Sequence, residues 1–544
     1  MTVKRVRLKS KLPKAPTWSS PRGAGPANAP TSGPPSSSAA TATPAEERRA
    51  VTPALTTSKR RLQRAPTPLE LLQQPLQAGV RKVFDLRRFL LVIGLTVAVL
   101  LLPAPPGLEP VGQRALALFV FTGAILILEP APLPIAALMV PICQIALGID
   151  VAQGAFAAYG NPVLFLILGS LFLAEALRKH GLTRRIALYA IVQSGGNFRR
   201  LLFGIMLITT LLSMWVLNTA TTAVLIPVAI SIVQHVQRSE DARRALALLV
   251  LGIAFSASIG GIATIMGSGE NAIASGLLSQ IMAFGFLDWM KYGLPVVVIL
   301  LPLSWFLLLQ TIRIPTIVID TRPIAQEIQR IGGLSNPERE TLVVLGISVL
   351  LWVAGSNLEY WLQLPATLLS SAVVAIGAVV ILSIEEVIDW NDLKGVNWGV
   401  FFVIGSGLTL GDALNKSGAS QWFADMLAPL LLGLPYIVIL SALIGIGFLL
   451  TQFMNNVALG AILAPLLITV AGASGIAPVR LLIPTIFVVA LAYTLPGASA
   501  RMTLVSVTGA VEPKEMLRAG VIVGAPSALI ILGFFYVLSL FNWI

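Results

Sequence analysis

Two stretches of this 544-residue chain set amides and hydroxyls among apolar residues: Ser213-Met214-Trp215-Val216-Leu217-Asn218-Thr219-Ala220-Thr221-Thr222 and Thr451-Gln452-Phe453-Met454-Asn455-Asn456-Val457-Ala458. Side chains of these types offer neutral oxygens and N–H groups. They can replace the water around a small ion, but they are poor tools for breaking a bond. A polar group without a partner in hydrocarbon costs several kcal/mol, so each cluster belongs in a water-lined or protein-lined cavity. Ser and Thr can bond back to their own helix, which accounts for single threonines here but poorly for Asn218. Pro227 follows Asn218 at the offset by which Pro465 follows Asn456, so the chain carries its site twice.

Each polar stretch is followed at some distance by a break in an apolar segment, Gly267-Ser268-Gly269-Glu270-Asn271 in one case and Gly497-Ala498-Ser499-Ala500-Arg501 in the other. A helix that restarts at a break offers free N–H groups to an anion, and the carbonyls left behind can hold a small cation. Aligning the breaks puts Glu270 and Arg501 at equivalent positions, an acid and a base on opposite sides of one site. Ionisable groups at membrane depth are costly and by default functional. Either the two pair with each other, or Arg501 grips a substrate carboxylate bidentately while Glu270 meets a substrate amine or takes up a proton.

The elements that must position these residues are membrane helices. With 56% hydrophobic and 12% charged residues, the chain has more apolar surface than a soluble core of its length can bury. The fold class is therefore an all-α polytopic membrane protein. Several apolar runs are shorter than the roughly 20 residues needed to cross a core of about 30 Å. Pairs of them that meet at a polar tip, near 217–219 and 455–457, read as re-entrant hairpins. The broken helices fall near 267–271 and 497–502. Gly169-Ser170 with Ala176-Leu177-Arg178-Lys179-His180-Gly181 is echoed by Gly405-Ser406 with Ala413-Leu414-Asn415-Lys416-Ser417-Gly418. This repetition divides the chain into a first membrane half, 81–312, a polar cytoplasmic connection, 313–340, and a second half, 341–544. Two halves, each with an interrupted segment at a matching place, mark a secondary transporter. The spacings Glu175 to Lys179 and Asp412 to Lys416 suit ion pairs on one helical face, and Trp215 reads as packing at its tip.

Residues 1–80 are rich in Pro, Ala, Ser and basic residues and lack any apolar run, so they read as a disordered tail. The net charge of +13 would suggest a nucleic-acid partner in a soluble protein. Here the basic residues lie in the tail and short connections, where they signal topology. Arg87 and Arg88 before the first apolar run place the amino terminus in the cytoplasm, in a bacterial inner membrane. An organellar inner membrane with a cleaved transit peptide is the alternative for such an acid-poor leader. One cysteine, Cys143, excludes an internal disulfide, and His180 and His235 make no zinc or haem set. No catalytic acid–base pair, nucleophile elbow or phosphate loop points to an enzyme.

At these residues the chain resembles the divalent anion:sodium symporter (DASS) family of the ion transporter superfamily. The likeness runs over roughly 120–525 and is closest at Glu129-Pro130-Ala131-Pro132-Leu133-Pro134, Pro162 to Ile186, Ser213 to Pro227 and Ser256 to Gly261. It implies two inverted-topology repeats, a scaffold that forms a homodimer, and a transport domain that moves as an elevator. It implies sodium-coupled symport of a small anion, a di- or tricarboxylate or sulfate, with sodium as coupling ion and no other cofactor. Carried over by position, one sodium site uses Ser213, Asn218 and the Gly267 carbonyl, and a second uses Thr451, Asn456 and the Ala498 carbonyl. The substrate lies between Asn218-Thr219 and Asn456-Val457, with Ser268, Ser499 and Arg501 alongside. The chain departs from the family where Leu217 replaces Ser, where Asn455-Asn456-Val457 replaces a second Ser-Asn-Thr, and where Pro-Pro pairs become Gly269-Glu270 and Ala500-Arg501. These departures motivate proton-coupled or exchange transport of a hydroxy or amino acid through Glu270 and Arg501 as the alternative.

Overall fold

The computed structural model describes residues 84–544 apart from 194, 234–238, 314–321, 542 and 544, and the tail expected over 1–80 lies outside them. The described residues are helical, with no β-strand. The helices run α1 (Leu86–Leu101), α2 (Pro110–Leu128), α3 (Leu133–Ala146), α4 (Ala152–Ala157), α5 (Pro162–Lys179), α6 (Leu182–Gln193), α7 (Phe198–Ser213), α8 (Asn218–Val233), α9 (Ser239–Ile262), α10 (Gly269–Ile281) and α11 (Phe286–Leu308). They continue with α12 (Arg322–Ile331), α13 (Asn336–Trp361), α14 (Ser371–Ile384), α15 (Trp390–Lys394), α16 (Trp398–Lys416), α17 (Ala419–Leu431), α18 (Tyr436–Thr451), α19 (Asn456–Ser474), α20 (Pro478–Val489), α21 (Ala500–Val507) and α22 (Pro513–Leu540). Six are long and apolar enough to cross a membrane, or up to eight spans if two bent pairs each count as one.

Capping residues set many of these boundaries. Asn161 accepts from the N–H of Val163 at the head of α5, and Asn397 from that of Gly399 at the head of α16. Each of these helices ends in lysine and is followed by a left-handed glycine, Gly181 or Gly418, which closes the last turn without strain. Asn455 accepts from Val457 N and Ala458 N and caps α19. The asparagine that stands first in the second Asn-Asn-Val is thus a helix cap.

Two helices form the buried centre. α9 is enclosed by the protein over its whole apolar length, packed by α7, α8 and α11; α20 is packed in the same way by α18, α19 and α22. Each is therefore wrapped by one helical hairpin, α7–α8 or α18–α19. At 16 residues, α7, α8 and α18 are each about 24 Å long, short of the roughly 30 Å hydrocarbon core. The second halves of the broken helices cross over: α10 packs along α19, and α21 packs against α8.

Charged side chains link the elements around this centre, not always as their spacing suggested. Glu175 pairs with Arg178 one place nearer in sequence, which frees Lys179 to reach Asp392 of α15 at 2.6 Å. Lys416 pairs with Asp412 at 2.7 Å, as its spacing predicts, and also with Asp150 at 3.1 Å. The polar connection is not featureless, because α12 lies within it and packs on α6. Arg185 binds Glu338 through two hydrogen bonds of 2.8 and 3.0 Å and donates to the carbonyls of Gly332 and Gly333.

Candidate functional site

The first hairpin turns at Met214–Leu217, where the helical ladder stops and side chains take over. Thr221 and Thr222 bond back to Val216 and Asn218 carbonyls, so these two hydroxyls serve the helix. Asn218 does something else. One atom of its side-chain amide lies 2.8 Å from Ser213 Oγ, 2.8 Å from the Ala257 carbonyl and 3.1 Å from the Gly267 carbonyl. With nitrogen inward, the orientation that satisfies the hydrogen bonds, the amide donates to these oxygens and holds the turn by itself. With oxygen inward, four oxygens converge, the donor set by which a hard cation is held. The Ala257 carbonyl is a member of this cluster that sequence could not supply, since any residue type carries one.

The unwound turn of the first broken helix is fixed by its own side chains. The Thr264 hydroxyl donates to the Met214 carbonyl and accepts from Gly267 N. Asn271 Nδ2 donates to Gly261 O at 2.7 Å and Thr264 O at 2.9 Å. Gly261 makes the cluster possible, because a Cβ there would lie 2.2 Å from Asn218 Oδ1. Gly261→Ala should therefore push the Asn218 amide out of place; overpacking of about 1–3 kcal/mol predicts a lowered melting temperature of the purified protein in detergent.

The second knot solves the same problem with a different residue. Gln452 Oε1 accepts from Tyr493 N, Thr494 N and the Thr494 hydroxyl at 3.1, 3.1 and 2.9 Å. Its Nε2 donates to the Phe448 and Leu491 carbonyls at 2.9 and 3.0 Å. The break here is longer than the sequence suggested: α20 stops at Val489 and α21 begins at Ala500, so the unwinding starts well before Gly497. The Thr451 hydroxyl meets the carbonyl of Val489 and lies 3.3 Å from Asn456 Oδ1. The carbonyl that joins Thr451 is thus that of Val489. The Ala498 carbonyl accepts no hydrogen bond from Thr451 or Asn456.

Both restarted helices begin alike. Ser268 precedes α10 with φ −152° and ψ 153°, and Ser499 precedes α21 with φ −158° and ψ 153°; neither side chain caps its helix. Their hydroxyls and Arg501 Nε are buried without hydrogen-bond partners. They line a cavity of about 380 Å³, together with Asn218, Thr219, Gly267, Glu270, Asn456 and Val457. Ser213, Thr451 and Ala498 are buried and do not line it. Glu270 and Arg501 are 1% and 3% exposed and form no ion pair with each other; the buried ion pair among the described residues is Arg185–Glu338. Arg501 Nη2 donates to the Ala490 carbonyl at 2.7 Å, and Asn456 Nδ2 donates to Glu270 Oε1 at 3.5 Å. Trp215 packs at the first tip, stacked on Trp352 of α13 at 5.9 Å and on Phe286 of α11 at 6.3 Å.

Comparison with known proteins gives this architecture its relatives. An uncharacterized transporter of Haemophilus influenzae is 31% identical over 419 residues, 76% of this chain and 88% of the relative. A sodium-dependent dicarboxylate transporter of Staphylococcus saprophyticus is 28% identical over 471 residues, 81% of this chain and 89% of the relative. The crystal structure of the Alcanivorax borkumensis YdaH transporter matches the fold with a TM-score of 0.53 at 15% sequence identity, covering 84% of this chain and 99% of that one. The model of the sodium:sulfate symporter transmembrane region matches residues 85–543. The chain therefore belongs to the sodium:sulfate symporter family, the divalent anion:sodium symporters it resembles in sequence, and is a membrane-embedded secondary transporter of anions.

Proposed function

We propose that the protein is a sodium-coupled symporter of a small anion that works by alternating access, with the anion bound in the cavity between the two hairpin tips. The observation that carries this reading is the convergence of Ser213 Oγ and the Ala257 and Gly267 carbonyls on the Asn218 amide; when the amide oxygen turns inward, a cation would tie the four together. Thr451 and Asn456, with the carbonyl of Val489 or of Ala498, are the candidates for a second such site. The free hydroxyls of Ser268 and Ser499, beside two helix amino-termini, suit an anion.

Two inverted repeats, 81–312 and 341–544 about a cytoplasmic connection, account for the matched hairpins and the reciprocal pairs Lys179–Asp392 and Lys416–Asp150. In this reading the hairpins are re-entrant, a homodimeric scaffold carries an elevator-like transport domain, and the protein sits in a bacterial inner membrane with its amino terminus in the cytoplasm. The dicarboxylate carried by the Staphylococcus relative supports an organic acid as cargo. Ion and substrate that order the same tips must raise each other's affinity by equal factors. Thermal stabilisation of the purified protein by substrate should therefore sharpen at least tenfold between sodium-free and saturating sodium buffer. A substrate affinity indifferent to sodium would remove the coupling. The unpaired Glu270 and Arg501 favour a second reading, proton-coupled or exchange transport of a hydroxy or amino acid, which predicts uptake driven by a pH gradient or by counter-substrate without sodium.

A further inference from the structure

The cavity has two chemically different ends. α10 packs along α19 and α21 against α8, so each break delivers its ionisable residue to the other half's hairpin. At the second tip, Asn456 Nδ2 donates to Glu270 Oε1. A Cβ at Gly460 would lie 2.7 Å from Glu270 Cβ, so the start of α10 is seated directly on α19. A Cβ at Gly269 would lie 2.8 Å from a Val457 methyl, so Val457 packs against the same turn. This end therefore presents a carboxylate and methyl groups. At the first end, Asn218 and Thr219 face the cavity, and Arg501, with its Nε unpartnered, lines it from α21, the helix packed against α8.

We infer that the Glu270 side chain fills the place of a substrate's second acidic group, so that the transported molecule has one carboxylate, held by Arg501 and the first tip, and a hydrogen-bond donor toward the Glu270 oxygens. That describes a small amino or hydroxy monocarboxylic acid. A dicarboxylate long enough to reach the second tip would bring a second acidic group into competition with Glu270 for the same donor, Asn456 Nδ2. An ammonium or hydroxyl there donates a hydrogen bond to the Glu270 oxygens instead. The inference rests on the transport reading above and narrows its substrate class.

The test uses the full chain, purified in detergent with sodium, and compares thermal stabilisation by glycolate, lactate, alanine and serine with that by succinate, malate and sulfate. The best ligand is then followed as uptake into proteoliposomes. At least one single-carboxylate acid should act at a tenfold lower concentration than any dianion. Glu270→Gln should weaken that acid about tenfold and bring succinate level with it or ahead. A wild-type preference for a dianion, or a preference ratio unchanged in Glu270→Gln, overturns the inference and leaves transport standing. If Glu270→Gln fails to fold, the wild-type preference alone decides. If no acid of either class stabilises the protein or enters vesicles, the transport reading falls and this inference with it.

Discussion

Arg501→Ala is expected to abolish substrate-dependent stabilisation and to cut uptake by two orders of magnitude or more, while sodium alone still stabilises the protein. The guanidinium is 3% exposed, has one hydrogen bond, to the Ala490 carbonyl, and has an unpartnered Nε. It is also the second residue of α21, where the positive end of the helix dipole opposes a cation. A buried guanidinium in that position is short of an anion, and the cavity is where one can come from. Removing one partner of a buried charge pair costs about 2–5 kcal/mol, which corresponds to roughly thirty-fold to several-thousand-fold in affinity. Arg501→Lys should recover only part of this, because an ammonium lacks the planar fork that meets a carboxylate on two sides. The sodium response separates this role from a merely structural one. The oxygens around Asn218 belong to α7, α8, α9 and the first break, and none of them comes from α21. A variant that loses both responses would make Arg501 a structural residue.

Gln452→Met should destabilise the protein severely and silence transport. The change keeps the length of the side chain and removes all five of its hydrogen bonds. Tyr493 N, Thr494 N and the Thr494 hydroxyl would lose their acceptor, and the Phe448 and Leu491 carbonyls their donor. A buried polar group left unpaired costs roughly 1–3 kcal/mol, so even partial relaxation leaves a loss of about 3 kcal/mol or more. Comparing melting temperature in detergent with uptake checks both halves of the expectation. The reverse change at the matching residue of the first knot, Met214→Gln, should do far less, because there the Thr264 hydroxyl and the Asn271 amide already hold the turn. A melting temperature for Gln452→Met within a degree or so of the wild type would contradict this account of the second break.

Much of this arrangement was legible in the chain, and the reasons are physical. Hydroxyls and amides inside apolar runs are costly enough to be informative, so Ser213, Asn218, Thr451 and Asn456 could be picked out, and the matching proline offsets showed that the pattern recurs. The lysine-glycine ends of α5 and α16 could be read because a left-handed closing residue is nearly always glycine. Backbone carbonyls carry no such mark. Ala257 and Val489 enter the two knots only through their C=O groups. The length of the second break was hidden for a related reason. Residues 490–495 are mostly apolar, and what keeps them unwound is Gln452, a residue from another helix. Ion pairs were the least legible feature, since Lys179 finds Asp392 far along the chain in preference to Glu175 on its own helix.

The crossing of each restarted helix onto the other half's hairpin also bears on how the protein is made. Glu270 and Asn456 are 186 residues apart, so at a ribosome rate of about 5–20 residues per second the first half waits roughly ten to forty seconds for its partner. Through that interval an acidic side chain and an unfilled groove must be sheltered within the insertion machinery or by neighbouring helices. Neither half synthesised alone would have anywhere to put its charged residue, and the two would have to be co-produced to be recovered as an active pair.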